Sequence, residues 1–306
     1  MILVTGGLGM IGAHTAGALV ELGHDVVVTS HARGDVPPFL DGRVSVERLD
    51  VTDTEAFLAL GERHDITDIV HLAGSVPAPD PVGYVRTDVA GLVNAVAAAR
   101  RWGVRRFAVA SSLGVYVGRP EVPWHEELDL PTTRLPHLIV AFKKAVEPLT
   151  THLLEDTDVQ PVVLRIGSTW GPLMDPESPF NPIPPYISAV LRGERPAPLH
   201  ADDGGDFCYA PDAGRAIALL TTAPTLGHDT YNVSSGRPFT NAELTAALEA
   251  VVPGADLPLA AGRQAGPGDN PYVDIGRLTR ETGFEPAYDV ARAVADYVAW
   301  RADHPR

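Results

Sequence analysis

The chain has 306 residues, 45% of them hydrophobic, and a formal net charge of -15. That length supports one large or two smaller domains around a sizeable core, and the negative balance excludes general affinity for nucleic acid or an anionic membrane, which need a basic face. One cysteine, Cys208, excludes an internal disulfide and a cysteine-based metal cluster, and no metal site is expected.

The first residues, MILVTGG, enter a strand directly, without a charged leader segment, and no run reaches the roughly 18 apolar residues of a spanning helix. A cytoplasmic protein is expected. Six apolar segments follow in order: ILVTG, DVVVTS, VSVERLD, DIVHLAG, RFAVASS and PVVLRIG. Helical stretches separate them, most clearly at 88–102 and 137–155. Such alternation predicts βαβ units and an α/β fold, a Rossmann-type doubly wound parallel sheet. From Gly171 to Pro198 the texture changes, with eight prolines marking irregular loop around one helix near 184–193. Short strand-like pieces, FCYA and TYNVS, and helices near 240–252 and 289–301 complete the chain. The expected division is a dinucleotide-binding domain over 1–167 and a smaller substrate-binding cap over 168–306, with segments near 205–235 returning to the first domain.

Gly6, Gly9 and Gly12 stand in a G-x-x-G-x-x-G spacing between the first strand and the first helix. Glycines there permit a tight turn and close approach of backbone to a pyrophosphate, while the helix start, with Met10 and Ile11, offers unpaired amides to the negative charge. At the end of the second strand an acidic residue would bind the ribose hydroxyls of NAD. This chain instead reads Ser30, His31, Ala32, Arg33, with no carboxylate before Asp35. A hydroxyl and an arginine suit a 2'-phosphate, so NADP is favoured, with NAD as the alternative and Arg33 as a solvated loop residue the blander reading.

In these motifs the chain resembles the extended short-chain dehydrogenase/reductase family, also called the NAD-dependent epimerase/dehydratase family. TGGLGMIG is similar to its cofactor fingerprint, LDVTD with Asp50 and Val51 to its adenine-contacting turn, and HLAG, including Leu72, Ala73 and Gly74, to its fourth-strand motif. VASSLGVYVG resembles the strand that carries the catalytic hydroxyl, here Ser112, with Tyr116 four residues on. LRIGSTWGP, GDFCYAPDAGRAIALL and TYNVSSGRPFT resemble later motifs, so the resemblance spans nearly the whole chain. It implies an enzyme with a Rossmann sheet, a C-terminal substrate domain, a small-molecule substrate, and a homodimer formed through two helices per subunit.

The family carries Tyr-x-x-x-Lys on the helix that opens here at RLPHLIVAFKKAVE, often with a glutamate four residues later. Lys143 and Glu147 fit that frame, which implies that Lys143 holds the nicotinamide ribose and lowers the pKa of the tyrosine, leaving Lys144 exposed. The tyrosine is absent, because Ile139 occupies its position and Val140 the position four before Lys144. His137, with a suitable intrinsic pKa, and Tyr116, from the strand-end loop, are the residues that stand in question as replacements. Failing both, the substrate supplies its own acid or base, or no redox chemistry takes place.

Nucleotide-sugar members place an arginine before the aspartate of the DF motif, where Gly205 precedes Asp206 here, and an asparagine where Ser168 stands. Both losses point to a small substrate that is not a nucleotide sugar. Trp170, Phe180, Tyr186, Tyr209 and Tyr272 are candidate pocket aromatics, or simply core. Two readings remain: an NAD(P)-dependent oxidoreductase or epimerase with altered acid-base chemistry, and a non-redox cyclase, lyase, isomerase or cofactor-binding protein that kept the dinucleotide site.

Overall fold

The computed structural model describes residues 1–32, 34–75, 80–133, 135–264 and 269–305. Strands and helices alternate through the first half as β1 (Ile2–Thr5), α1 (Met10–Glu21), β2 (Val26–Ser30), β3 (Ser45–Arg48), α2 (Thr54–Arg63), β4 (Asp68–His71), α3 (Pro81–Trp102), β5 (Arg106–Ser112), α4 (Leu138–Leu154) and β6 (Gln160–Ile166). Beyond them come β7 (Ser168–Trp170), α5 (Ile183–Leu191), β8 (Leu199–His200), β9 (Gly204–Gly205), β10 (Phe207–Tyr209), α6 (Ala210–Thr222), β11 (Thr230–Val233), β12 (Phe239–Thr240), α7 (Asn241–Val251), β13 (Leu259–Ala260), α8 (Gly276–Thr282) and α9 (Val290–Asp303).

Seven parallel strands form one sheet in the order β11-β6-β5-β4-β1-β2-β3. The inner strands are almost wholly apolar because helices cover both faces. Their side chains alternate between the two sides as strand geometry requires: Val4 and Val28 pack with α1 and α6, whereas Leu3 and Val27 pack with α2, α3 and α4. Helices α1 and α6 touch backbone to backbone, since a Cβ on Gly214 would overlap the carbonyl group of His14. The strand β11, late in the sequence, thus joins the edge of the sheet that the first half builds.

A second cluster gathers α5, α7 and α9 around Trp170, which meets Tyr209 and Tyr297 edge-on with ring centroids 5.0 and 5.7 Å apart. Trp170, Tyr186 and Tyr209 are buried in this cluster, and Trp170 and Tyr209 also line a small cavity beside Phe207 and Phe239, while Phe180 is exposed.

Helix α3 begins at Pro81, well before the expected 88. Asp80 caps it by accepting from the Val82 amide, and Pro81 supplies a preset φ in the first turn. Its first turns carry Arg86, Thr87 and Asp88, polar residues that break the apolar pattern in sequence. Among the described residues no helix is long and apolar enough to cross a membrane.

Candidate active site

A cleft of about 370 Å³ opens at the carboxyl edge of the sheet, where ligands of such sheets lie. Its first wall is the turn between β1 and α1. Gly6 adopts φ +67°, and a Cβ there would come within 3.0 Å of the Ala73 backbone, so β1 and the segment after β4 meet with no side chain between them. A Cβ on Gly12 would overlap the carbonyl oxygen of Gly6. Gly9 is the N-cap of α1 and contributes no side-chain cap, so the first amides of the helix, Met10 and Ile11 among them, carry no side-chain partner from the cap. A dinucleotide pyrophosphate fits such a cradle, which is backbone donors at a helix N-terminus.

Toward β2 and β3 the cleft is lined by Ser30, His31, Asp50 and Val51. Asp50 accepts from the amide and hydroxyl of Thr52 at 2.9 and 2.7 Å, and these bonds hold its carboxyl below the usual range. His31 faces Asp50 at 3.9 Å, both side chains largely exposed. Arg33 lies outside the described residues.

Leu72, Ala73 and Gly74 form the middle of the floor. The Thr5 hydroxyl accepts from the Leu72 and Ala73 amides, each at 3.2 Å, and therefore donates its one proton to Nδ1 of His71 at 2.9 Å. His71 is thereby held neutral: burial first, and the Lys143 ammonium second, push its pKa down to about 3.

Toward β5, outside the lining of the cleft, the half-buried Lys143 donates its Nζ to the Ala110 carbonyl at 2.7 Å. Burial lowers its pKa, and the Asp88 carboxylate opposes that shift. Asp88 is itself buried, lines the cleft, and accepts from the amide and hydroxyl of Ser75 at 2.9 and 2.5 Å. Burial, followed by the nearby Asp88 carboxylate, pushes the Tyr84 hydroxyl up to about 12. Ser112 is half-buried at the end of β5 and accepts from the Gly114 amide at 3.1 Å. Ser75, Thr87 and Asp88 are absent from the sequence-based expectation. A signal for Thr87 and Asp88 was present in the polar run RTD at 86–88; Ser75 carried none.

The two residues in question as tyrosine replacements have other settings. Tyr116 is fully buried, donates to Asn232 Oδ1 at 2.8 Å and accepts from Arg165 at 2.7 Å, with its hydroxyl pushed up to about 12 by burial. It also stacks on Trp124 at 5.6 Å, so it is a packing residue. His137 is exposed at the N-cap of α4. Lys144, expected to be exposed, is half-buried and donates to the Pro131 carbonyl. Glu147 is tied to Arg165 at 2.8 Å and to the Ser111 hydroxyl at 2.5 Å, below the lysine turn.

The sequence matches the NAD dependent epimerase/dehydratase family over residues 2–234. The chain belongs to that family, which is one of enzymes. Among relatives of this epimerase/dehydratase, the UDP-glucose 4-epimerase of Neisseria gonorrhoeae is 27% identical over 99% of this chain and 98% of its own. The dTDP-glucose 4,6-dehydratase of Streptomyces griseus is 30% identical over 99% of this chain and 94% of its own. The structure of Thermus thermophilus UDP-glucose 4-epimerase in complex with NAD superposes with a TM-score of 0.81 at 26% identity, covering 99% of each chain.

Proposed function

We propose that this epimerase/dehydratase relative is an NADP-linked oxidoreductase, or an epimerase that uses the cofactor transiently, acting on a small hydroxyl or carbonyl substrate that is not a nucleotide sugar. The observation that carries it is the cleft lined from the glycine loop to Asp88, with the half-buried Lys143 on the Ala110 carbonyl of β5 and Ile139 four residues before it in place of a proton-exchanging phenol. Ser30 and His31 at the adenosine end, where a carboxylate would favour NAD, support NADP. NAD, the ligand named for the Thermus relative, is the alternative.

Several features support a substrate unlike those of the named relatives. Gly205 occupies the place of a phosphate-gripping arginine and is pinned in β9, antiparallel to β12. Asp206 beside it is buried, and its carboxylate accepts from Ser234 at 2.6 Å and from the Val273 amide at 3.1 Å.

When bound, a nicotinamide cofactor supplies a hydride donor or acceptor at this edge of the sheet. Lys143 presents an ammonium to the ribose, desolvated and therefore electrostatically strong. Ser112 uses one lone pair on the Gly114 amide, which leaves its own proton to donate to a substrate oxygen. Tyr116 and His137 stand in other settings, so this reading assigns the exchanged proton to solvent or to the substrate's own groups. The non-redox alternative rests on the same Ile139.

Calorimetric titration of cofactor-free protein with NADP and NAD in parallel tests the reading. Micromolar or tighter binding of NADP alone is expected, weakened by Lys143→Ala; binding of neither would leave only the fold of the family. Ile139→Tyr separates the two readings, since a redox site gains turnover with simple carbonyls and a repurposed pocket does not.

Helices α3 and α4 also expose Val82, Val93, Leu138, Leu149 and Leu153, an apolar face of the kind that a second copy covers. The reading therefore includes a homodimer through these helices. Sedimentation showing only monomer at micromolar concentration would remove it.

A further inference from the structure

The parallel pairing of β2 with β3 sets Arg48 beside Ser30. Partners in register project to the same side of a sheet, so the arginine and the serine share one face. A cavity of about 310 Å³ opens beside the end of β3, and Ser30, His31 and Ala32 line both this cavity and the cleft. The cleft thus has a side chamber, and Arg48 lines it.

The chamber holds one carboxylate among the described residues that line it, that of Glu47, and Arg63 and His64 engage both of its oxygens at 3.0 and 2.8 Å. Little negative charge is left to repel an anion. Arg48 is exposed, and among the described residues no ion pair or side-chain hydrogen bond occupies its guanidinium. A guanidinium in that state presents a rigid fork of donors, which matches the oxygens of a phosphate two at a time. His31 lines the same chamber and faces Asp50 across the cleft side at 3.9 Å, so an imidazole stands between that carboxylate and the arginine's surroundings. Arg33, the arginine that the sequence singles out, lies outside the described residues. Arg48, by contrast, is anchored in a strand of the main sheet.

We infer that Arg48 is a specificity-determining residue of the cleft, its guanidinium taking the 2'-phosphate of an adenine dinucleotide in the side chamber beside Ser30 and His31. The inference rests on the reading of the cleft as a dinucleotide site and deepens it by naming the chamber and the residue that distinguish the phosphorylated ribose. Its physical content is a difference. NADP and NAD share every group except one phosphomonoester, so a residue that binds this group changes the ratio of the two affinities. A residue that supports the fold acts on both alike, and a solvated surface arginine acts on neither.

The test is calorimetric titration of the full chain with NADP and with NAD, in the wild type, in Arg48→Gln, in Arg48→Lys and in Arg33→Gln. Arg48→Gln should weaken NADP about tenfold and change NAD less than about twofold. Arg48→Lys keeps the charge and loses the fork, so its loss should be smaller than that of the glutamine variant. An unchanged ratio in Arg48→Gln, or equal weakening of both dinucleotides, overturns the inference and leaves the dinucleotide reading standing. A ratio that collapses in Arg33→Gln alone does the same, because it gives the phosphate to the loop. Wild-type protein that prefers NAD overturns the inference together with the choice of NADP, and protein that binds neither removes the dinucleotide reading as well.

Discussion

At the glycine-loop end of the cleft the ligand surface is backbone: a Gly6 at positive φ, an uncapped helix start, and strand ends close enough that a Cβ would touch the Ala73 backbone. At the other end it is side chains: Asp88 accepting from Ser75, Lys143 donating to the Ala110 carbonyl, and Glu147 against Arg165 one turn along α4. Backbone surfaces depend on where side chains are absent, and few sequences satisfy that. Side-chain surfaces can be rewired one residue at a time, and the proposed function rests on one such change, Ile139 where the family resemblance implies a phenol. On that reading, cofactor binding and chemistry part company within a single cleft.

The largest expected effect tests whether the two ends are mechanically separate. In Glu147→Ala the Arg165 guanidinium, 7% exposed, loses its carboxylate and stays buried. Removing one partner of such a pair costs about 3–5 kcal/mol, which for a chain of this size is a fall on the order of 10 °C in the melting temperature. At a temperature where the variant is folded, dinucleotide affinity should change less than about threefold, because the glycine loop rests on α1 and β1. A loss above roughly tenfold would show that the ends act as one unit and break the comparison.

His71 is the group that touches both ends, through Thr5 on β1 and through the charge of Lys143. Its folded-state pKa, about 3, lies below the ordinary 6.5, so the unfolded chain binds the proton more readily. The stability it contributes is present above pH 6.5 and is lost as pH falls toward 3, by about 3 kcal/mol at pH 4. Denaturant midpoints measured from neutral pH down into that acid range should fall along that limb and flatten in His71→Gln. An equal slope in both proteins would show that other groups govern the acid limb.

The parallel alternation of strands and helices and the glycine loop were legible in the sequence, because apolar alternation and glycine spacing are local and periodic. The start of α3 was not. Arg86, Thr87 and Asp88 read as a break in the pattern, yet Thr87 and Asp88 line the cleft, so a polar face turned toward a ligand looks like the end of a helix. The setting of Tyr116 was equally hidden, since its partners Arg165 and Asn232 lie on β6 and β11 and only the folded sheet brings them together.

Tyr116 and His137 give the smallest effects and the finest test. Tyr116→Phe removes a hydroxyl that donates to Asn232 and accepts from Arg165, leaving two buried polar groups short of a partner. The cost is about 1–3 kcal/mol of stability, with dinucleotide affinity unchanged. His137→Ala alters an exposed N-cap whose ring makes no cap bond, so stability should move by less than about 0.5 kcal/mol. Thermal melts and calorimetry on the pair distinguish packing from chemistry. If turnover vanished in Tyr116→Phe while the melting temperature held, the phenol would have to leave Arg165 to reach the cleft, and the side-chain end would be mobile rather than fixed. If turnover vanished in His137→Ala, the first turn of α4 would have to fold inward over Ile139. With neither loss, neither ring carries the proton, and both residues stand as packing and surface groups.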